Sequence, residues 1–350
     1  MVQYVGTREI ARLVRHAGIE AVFRGLVARL ERDFRRWPAF EKTARLASHS
    51  PGGVIELMPT SDGVTYGFKY VNGHPANTAS GLLTVTAFGV LAEVATGYPV
   101  FLSEMTVATA LRTAAASALA ARYLARAGAR TMAIIGLGAQ AEFQAMAFHA
   151  VLGIERLRVF DIDPGATAKF RRNLRGSAVE IVEAANAGDA VDGADIVTTA
   201  TASKSRETIL VPEMVVPGVH INALGGDCPG KTELHPDILR RAQVFVEFLP
   251  QARIEGEIQQ LGPDGEGTEL WRVIVGDSRG RRSAQEVTVF DSVGFAIEDF
   301  STLCFLRDLA ASTGICRGLD LVPELENPKD LYGLVAPQDA LTSSFAAVNR

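Results

Sequence analysis

From Arg130 onward the chain alternates short apolar runs with helix-length amphipathic stretches, and this alternation limits the possible folds more than any other feature. The runs are TMAIIG, LRVFD, AVEIVE, DIVTTA, VHINAL, VFVEF and EVTVFD. Runs rich in β-branched residues and separated by helical segments predict parallel strands joined by crossovers, a doubly wound α/β sheet. The last strand and its helix, Val287 to about Ala311, are expected to complete that sheet and its helical layers. The stretch from Gln259 to Arg282, rich in Gly, Asp and Glu, is expected to be a surface excursion.

The residues before Arg130 follow another rhythm. The first 35 residues have helical periodicity, and apolar strands are predicted at Val54 to Met58, Tyr66 to Val71, Thr84 to Val94 and Val100 to Leu102. Ala95-Thr96-Gly97-Tyr98-Pro99 reads as a hairpin turn, which makes the last two of these strands antiparallel. An alanine-rich helix follows from about Thr106 to Arg126, with Gly128 as its stop. At 350 residues the natural expectation is two domains. These are an α+β domain over residues 1–127, onto which 314–350 pack back, and an α/β domain over 128–313.

Composition removes several function classes. With 47% hydrophobic and 21% charged residues the chain has the makings of packed cores. A net charge of -5 offers no basic field to a nucleic acid. Arg8, Glu9, Arg12 and Arg15 break up the apolar positions of the first residues, so no signal-peptide core is read there. No run reaches the roughly 20 apolar residues of a membrane-spanning helix. The 3 cysteines, Cys228, Cys304 and Cys316, are odd in number and lack CxxC spacing. That argues against a disulfide framework and a structural zinc site, and fits a reducing cytoplasm. His49 and His74 have no second ligand at metal spacing, so no metal is expected. Ser48, Ser50, Ser103 and Ser292 occur without a nucleophile elbow, which removes the hydrolase triad.

The strand TMAII runs directly into Gly136-Leu137-Gly138-Ala139-Gln140-Ala141, a G-x-G-x-x-A turn opening a helix near Ala139. Gly136 permits the tight turn, Gly138 lets backbone approach a pyrophosphate, and Ala141 lets the helix pack on the strand with its N-terminal dipole toward phosphate. The second strand ends at Asp161, at the roughly 20-residue spacing where a carboxylate bonds both ribose hydroxyls and repels a 2′-phosphate. The pattern therefore indicates a Rossmann-type domain and NAD rather than NADP. Asp163 before Pro164 is the expected cap of the next helix. Thr199 and Thr201 either end the fourth strand or line the cofactor crevice.

Beyond the fifth strand, GGDCPGKTE (225–233) lies at the carboxyl end of the sheet, where such folds bind ligands. Asp227 there is either an ordinary turn residue or an acid/base for a substrate amine or water. In the first domain Arg45 and Lys69 lie on or beside strands, and Arg112 falls in an apolar helix. Three cations in such places call for internal carboxylate partners or for an anionic ligand such as an α-carboxylate. Solvated faces and snorkelling side chains are the alternative. Glu56 lies in the strand VIELM.

Longer motifs carry a resemblance. VIELMP (54–59), FKYVNGHPANT (68–78), ATALRTAA (108–115), GLGAQAEFQA (136–145), GGDCPGKTELH (225–235), ARIEGEIQQL (252–261) and TVFDSVGFAIED (288–299) resemble the ornithine cyclodeaminase and mu-crystallin family. The similarity covers nearly the whole chain and is weakest after Asp330. It implies a homodimer in which the first, α+β domain binds substrate and supplies strands to the shared interface. It also implies that Arg45, Lys69 and Arg112 bind the carboxylate of a small-molecule substrate, L-ornithine, with Val293 in contact with it, Glu56 nearby and Asp227 as catalytic acid/base. For NAD it points to Thr84, Arg112, Gly136, Gly138, Ala139, Gln140, Asp161, Thr201, Leu224, Gly225, Gly226, Asp227, Lys231 and Ser292. The implied reaction is a cyclising deamination to L-proline and ammonia, with a hydride lent to NAD and returned. Lysine cyclodeamination, ketimine reduction, alanine oxidation and a non-catalytic binding role are the other activities such a scaffold allows.

Overall fold

The structure, a computed structural model, describes residues 1–201, 207–226, 228–262 and 265–336. Among these residues the chain begins with β1 (Val2–Val5), α1 (Thr7–Ala17) and α2 (Ile19–Arg35). It continues through β2 (Leu46–Ser50), β3 (Gly53–Ser61), β4 (Thr65–Gly73), β5 (Val85–Glu93), β6 (Pro99–Glu104) and α3 (Thr106–Leu124). The alternating part follows as β7 (Thr131–Ile135), α4 (Ala141–Leu152), β8 (Arg156–Phe160), α5 (Pro164–Asn173), β9 (Glu180–Glu183), α6 (Ala187–Val191) and β10 (Ile196–Thr199). Then come β11 (His220–Ala223), α7 (Pro236–Arg241), β12 (Gln243–Val246), α8 (Leu249–Glu255), β13 (Thr268–Glu269), α9 (Leu270–Val275), β14 (Thr288–Asp291), α10 (Ala296–Thr313) and β15 (Arg317–Leu319).

Two sheets result. The first has the order β15-β1-β6-β5-β4-β3-β2, the second β13-β12-β14-β11-β10-β7-β8-β9. Every pairing in the second sheet is parallel. Its order reverses at β7, between β8 and β10, which opens a crevice at the carboxyl ends of the strands. In the first sheet β2 to β6 are antiparallel neighbours. Gly97, at φ 73°, completes the turn between β5 and β6. Asp163 caps α5, accepting from Gly165 N, with Pro164 in the first turn.

Three features depart from the sequence expectations. Within 259–282, residues 268–275 are no surface excursion: Thr268–Glu269 extends the parallel sheet beside β12, and α9 buries Leu270, Val273 and Ile274. Trp271 stacks on Trp37, the rings 6.1 Å apart, and Trp37 also meets Phe34, Phe248 and Phe295. Second, α10 does not finish the parallel unit but lies across the inner face of the antiparallel sheet, against β3, β4, β5 and β6. Gly67 and Gly89 make this possible: a Cβ at Gly67 would stand 3.2 Å from Phe300, and one at Gly89 3.0 Å from Leu303. Third, the short strand β1 precedes α1, pairing parallel with β6 and antiparallel with β15.

Strands β3 to β6 alternate over most of their length, whereas β2 is exposed throughout. Glu56, Met58, Lys69, Val71, Ala87, Leu91 and Phe101 face inward and are buried. On the outer face Ile55, Leu57, Tyr66, Phe88 and Val100 are between 38% and 43% exposed, and Tyr70 stacks on Phe88. No helix among the described residues is long and apolar enough to cross a membrane.

Candidate active site at the carboxyl edge

The turn after β7 has the geometry of a dinucleotide cradle. Gly136 has φ 93°, and a Cβ there would lie 2.6 Å from the Ala200 carbonyl oxygen at the end of β10, so only glycine lets the two strand ends pass. Its N–H donates to the Phe160 carbonyl at 3.0 Å. At Gly138 the position of a Cβ is open space, and Gly138 and Ala139 are exposed ahead of α4. Gln140 begins that helix without a side-chain cap, and its Oε1 is buried with no hydrogen-bond partner. Uncapped N–H groups, an unfilled space and an orphaned amide oxygen fit a pyrophosphate and its attached ribose. Asp161 sits at the mouth of the turn, accepting from Leu137 N at 2.6 Å and Asp163 N at 2.8 Å.

Across the crevice a series of buried acids binds the loops together. Glu233 accepts from the Thr201 amide at 2.8 Å, from the Thr201 hydroxyl, and from Gly225 N at 3.1 Å. A side chain at Gly225 would collide with that carboxylate. Glu257 accepts from Glu233 N at 2.7 Å and Leu234 N at 3.1 Å, and Asp291 accepts from Glu257 N at 2.8 Å and Ile258 N at 3.0 Å. Burial pushes Glu257 up to about 8, with Asp291 adding repulsion. Burial likewise pushes Asp291 up to about 7. Leu224 N donates to the Thr199 carbonyl. Gln259 donates to the carbonyl of Lys231, and the Thr84 carbonyl accepts from His74 N at the head of β5. Among the described residues, Thr84 is not one of the groups bonded to these acids. Asp227 lies outside the described residues.

The three cations of the first domain all meet carboxylates. Arg45 lies 3.1 Å from Glu56 and 3.1 Å from Glu255, its side chain only 9% exposed. Lys69, pointing inward from β4, donates to Asp299 at 2.8 Å. Arg112, on α3, meets Glu298 at 2.7 Å and Asp299 at 3.0 Å. Burial lowers Lys69 to about 8, the Arg112 charge adding to the fall and Asp299 only partly opposing it. Burial also disfavours charged Arg112, but Asp299, Glu298 and Glu247 outweigh it and raise its pKa.

One loop joins these cations to the parallel sheet. After β14, the carbonyls of Val293 and Gly294 accept from Arg45 at 2.6 and 3.0 Å. Gly294 has φ 76°, and the Arg112 guanidinium fills the place its side chain would take. Ser292 donates to buried Glu247 at 2.8 Å. The structure thus brings Arg45, Glu56, Lys69, Arg112, Ser292 and Val293 together.

The sequence reading missed the acids: Glu233, Glu247, Glu255, Glu257, Asp291, Glu298 and Asp299. A signal existed in VFVEF, TVFD and FAIEDF, where carboxylates interrupt apolar runs much as Lys69 interrupts YGFKYV. Among the described residues no group of three or more His, Cys, Asp or Glu side chains is arranged to hold a metal ion.

Comparison with known proteins identifies the family and the fold. The model of the ornithine cyclodeaminase/mu-crystallin family matches residues 8–314. An ornithine cyclodeaminase of Brucella suis biovar 1 (strain 1330) is 58% identical over 344 residues, 98% of this chain and 96% of that protein. A lysine cyclodeaminase structure, described as the basis for recognition of L-lysine, L-ornithine and L-2,4-diaminobutyric acid, superposes with a TM-score of 0.87 at 32% identity, covering 95% of this chain and 99% of that one. An archaeal alanine dehydrogenase dimer with bound NAD gives a TM-score of 0.83 at 30% identity, covering 92% and 99%.

Proposed function

We infer the function from one premise: this chain belongs to the ornithine cyclodeaminase/mu-crystallin family. It is an NAD-dependent cyclising deaminase, an ammonia-lyase that converts L-ornithine to L-proline and ammonia. The observation that carries this reading is the loop Ser292–Gly294, which ties the Arg45, Lys69 and Arg112 cluster to the edge of the sheet that bears the glycine turn. An amino-acid carboxylate and a dinucleotide are thereby served by neighbouring parts of one crevice.

Gly136, Gly138, Ala139 and Gln140 hold the pyrophosphate of NAD and Asp161 its ribose. Thr84, Arg112, Thr201, Leu224 to Asp227, Lys231 and Ser292 hold the remainder. Bound there, NAD supplies a reversible hydride acceptor for the α-carbon of the amino acid, so that net redox change is zero. Arg45, Lys69 and Arg112 fix the α-carboxylate, with Val293 against the substrate. Asp227 is the acid/base that moves protons as the δ-amine closes on the α-carbon and ammonia departs. Glu56, anchored by Arg45, is the second carboxylate at the reacting end. Residues 1–127 with 314–336 form the substrate unit and 128–313 the NAD unit, although α10 is packed with the former; the rest of the expected C-terminal segment, 337–350, lies outside the described residues.

The outer face of the antiparallel sheet, with Leu57, Tyr66, Phe88 and Val100, is an apolar patch suited to a second copy of the chain. The enzyme is accordingly a homodimer, and it works in the cytoplasm, where the thiols of Cys228, Cys304 and Cys316, which form no disulfide, stay reduced. Light scattering should give twice the chain mass, and Phe88→Glu should give a monomer. For the reaction, the protein is incubated with catalytic NAD+ and either L-ornithine or L-lysine. Proline and ammonia in equal amounts, without accumulating NADH, are expected. Stoichiometric NADH would mean a dehydrogenase, and pipecolate as the main product would move the substrate to lysine.

A further inference from the structure

The reaction as proposed gives no role to Glu247. This residue follows β12 and is fully buried. One carboxylate oxygen accepts from the Ser292 hydroxyl at 2.8 Å and Gly294 N at 3.1 Å, and the other accepts from Val293 N at 3.2 Å. Three donors from three consecutive residues converge on one acid. The opposite edge of the same tripeptide offers the Val293 and Gly294 carbonyls to Arg45, and Gln251 Nε2 donates to the Gly294 carbonyl at 2.7 Å. Gln251 Oε1 in turn accepts from Arg45 N at 3.3 Å. Arg112 presses against Gly294 from a third side. The loop is therefore a rigid spacer, gripped on its N–H edge by Glu247 and read by two arginines elsewhere.

We propose that Glu247 is a positioning residue for the amino-acid carboxylate: by gripping Ser292–Gly294 it sets where Arg45 and Arg112 stand relative to each other. The inference rests on the reading of those arginines as carboxylate ligands. It assigns Glu247 an effect chiefly on substrate capture, since its bonds go to the loop that both arginines share, and a smaller one on the dinucleotide, which Ser292 and Arg112 also hold. A buried carboxylate that served only to cap a loop would affect folding and leave the two-arginine spacing free to adjust.

Glu247→Gln keeps the shape of the side chain but turns an amide NH2 toward at least one of the three donors. KM for L-ornithine should rise at least about tenfold while kcat stays within about threefold, the pattern of lost substrate binding rather than lost chemistry. The Kd for NAD, measured by calorimetry, should rise by a smaller factor than KM for L-ornithine. Gly294→Ala displaces Arg112 from the other side of the loop and should give the same signature. The double variant should then fall short of the product of the single effects, because both act through one element. If Glu247→Gln does not fold, Glu247→Asp, which keeps the charge but retracts it by one methylene, should show a milder rise in KM of the same kind. An unchanged KM in the folded variant, or single effects that multiply, overturns the inference while the functional reading stands. Wild-type protein that makes no proline overturns the functional reading and takes this inference with it.

Discussion

Asp299→Asn tests whether the cation cluster is held by internal charge. Asp299 lies 2.8 Å from Lys69 Nζ and 3.0 Å from Arg112 Nε, and the Lys69 and Asp299 side chains are each 1% exposed. At an effective dielectric of about 20 each contact is worth about 6 kcal/mol of Coulomb attraction, set against the cost of removing the charges from water. The substitution removes the anion and leaves both cations buried, which should lower stability by about 3–5 kcal/mol. At 2–4 °C per kcal/mol the apparent Tm should fall by roughly 10 °C. L-ornithine brings its own carboxylate to the same cations. Saturating substrate in the presence of NAD should therefore raise the Tm of the variant more than that of wild type, read by differential scanning fluorimetry. A variant that melts within about 2 °C of wild type and gains no extra stability from substrate would refute the charge-balance reasoning.

Two further outcomes follow from the same geometry. Because the folded-state pKa of Lys69 is lowered from 10.5 to about 8, its ammonium is lost as pH rises through that value, and carboxylate binding weakens with it. KM for ornithine should climb above about pH 8, and Lys69→Arg should flatten that rise; a KM independent of pH from 7 to 9.5 would remove Lys69 from substrate binding. The two fingerprint glycines should separate in stability and binding. Gly136→Ala forces a methyl against the Ala200 carbonyl at positive φ and should cost about 1–3 kcal/mol of stability as well as NAD binding. Gly138→Ala, whose methyl enters open space, should leave the Tm unchanged and weaken NAD binding alone. Equal effects of the two on the Tm would mean that the space at Gly138 is not open, and unchanged NAD binding in Gly138→Ala would mean that the pyrophosphate does not approach there.

The parallel sheet was legible because two independent signals coincided, the strand–helix alternation and a glycine turn placed directly after a strand. The placement of α10 was not. Its first seven residues, Ala296 to Thr302, are all buried, so its pattern names no single face and cannot say which sheet receives it. What decides is the close approach allowed by Gly67 and Gly89, a contact between residues far apart in the chain. The 259–282 stretch reads as a surface loop because it is rich in Gly, Asp and Glu, which mask the short apolar segment LWRVIV that fills the gap beside Trp37. β1 and β15 are only 4 and 3 residues long and gain their pairing at a sheet edge, below what periodicity resolves.

At the site, the sequence displayed both halves of the Arg45–Glu56 pair but only the cation of the pairs made by Lys69 and Arg112. A lysine in YGFKYV or an arginine in an alanine-rich helix stands out because nothing local explains it. Glu298 and Asp299 do not stand out, since acids in the first turn of a helix are favoured by its dipole wherever they point. Only the fold shows that these two reach Arg112 and Lys69. Glu247 and Asp291 were similarly hidden at strand ends, where a carboxylate ordinarily reads as the start of a solvated turn.

The claim that a hydride leaves and returns to the same carbon within one active site is tested most directly with L-ornithine deuterated at the α-carbon. The product proline should retain the deuterium at its α-carbon, with none appearing in free NADH and none exchanged for solvent hydrogen. Proline lacking the label, or label recovered in released NADH, would contradict the account.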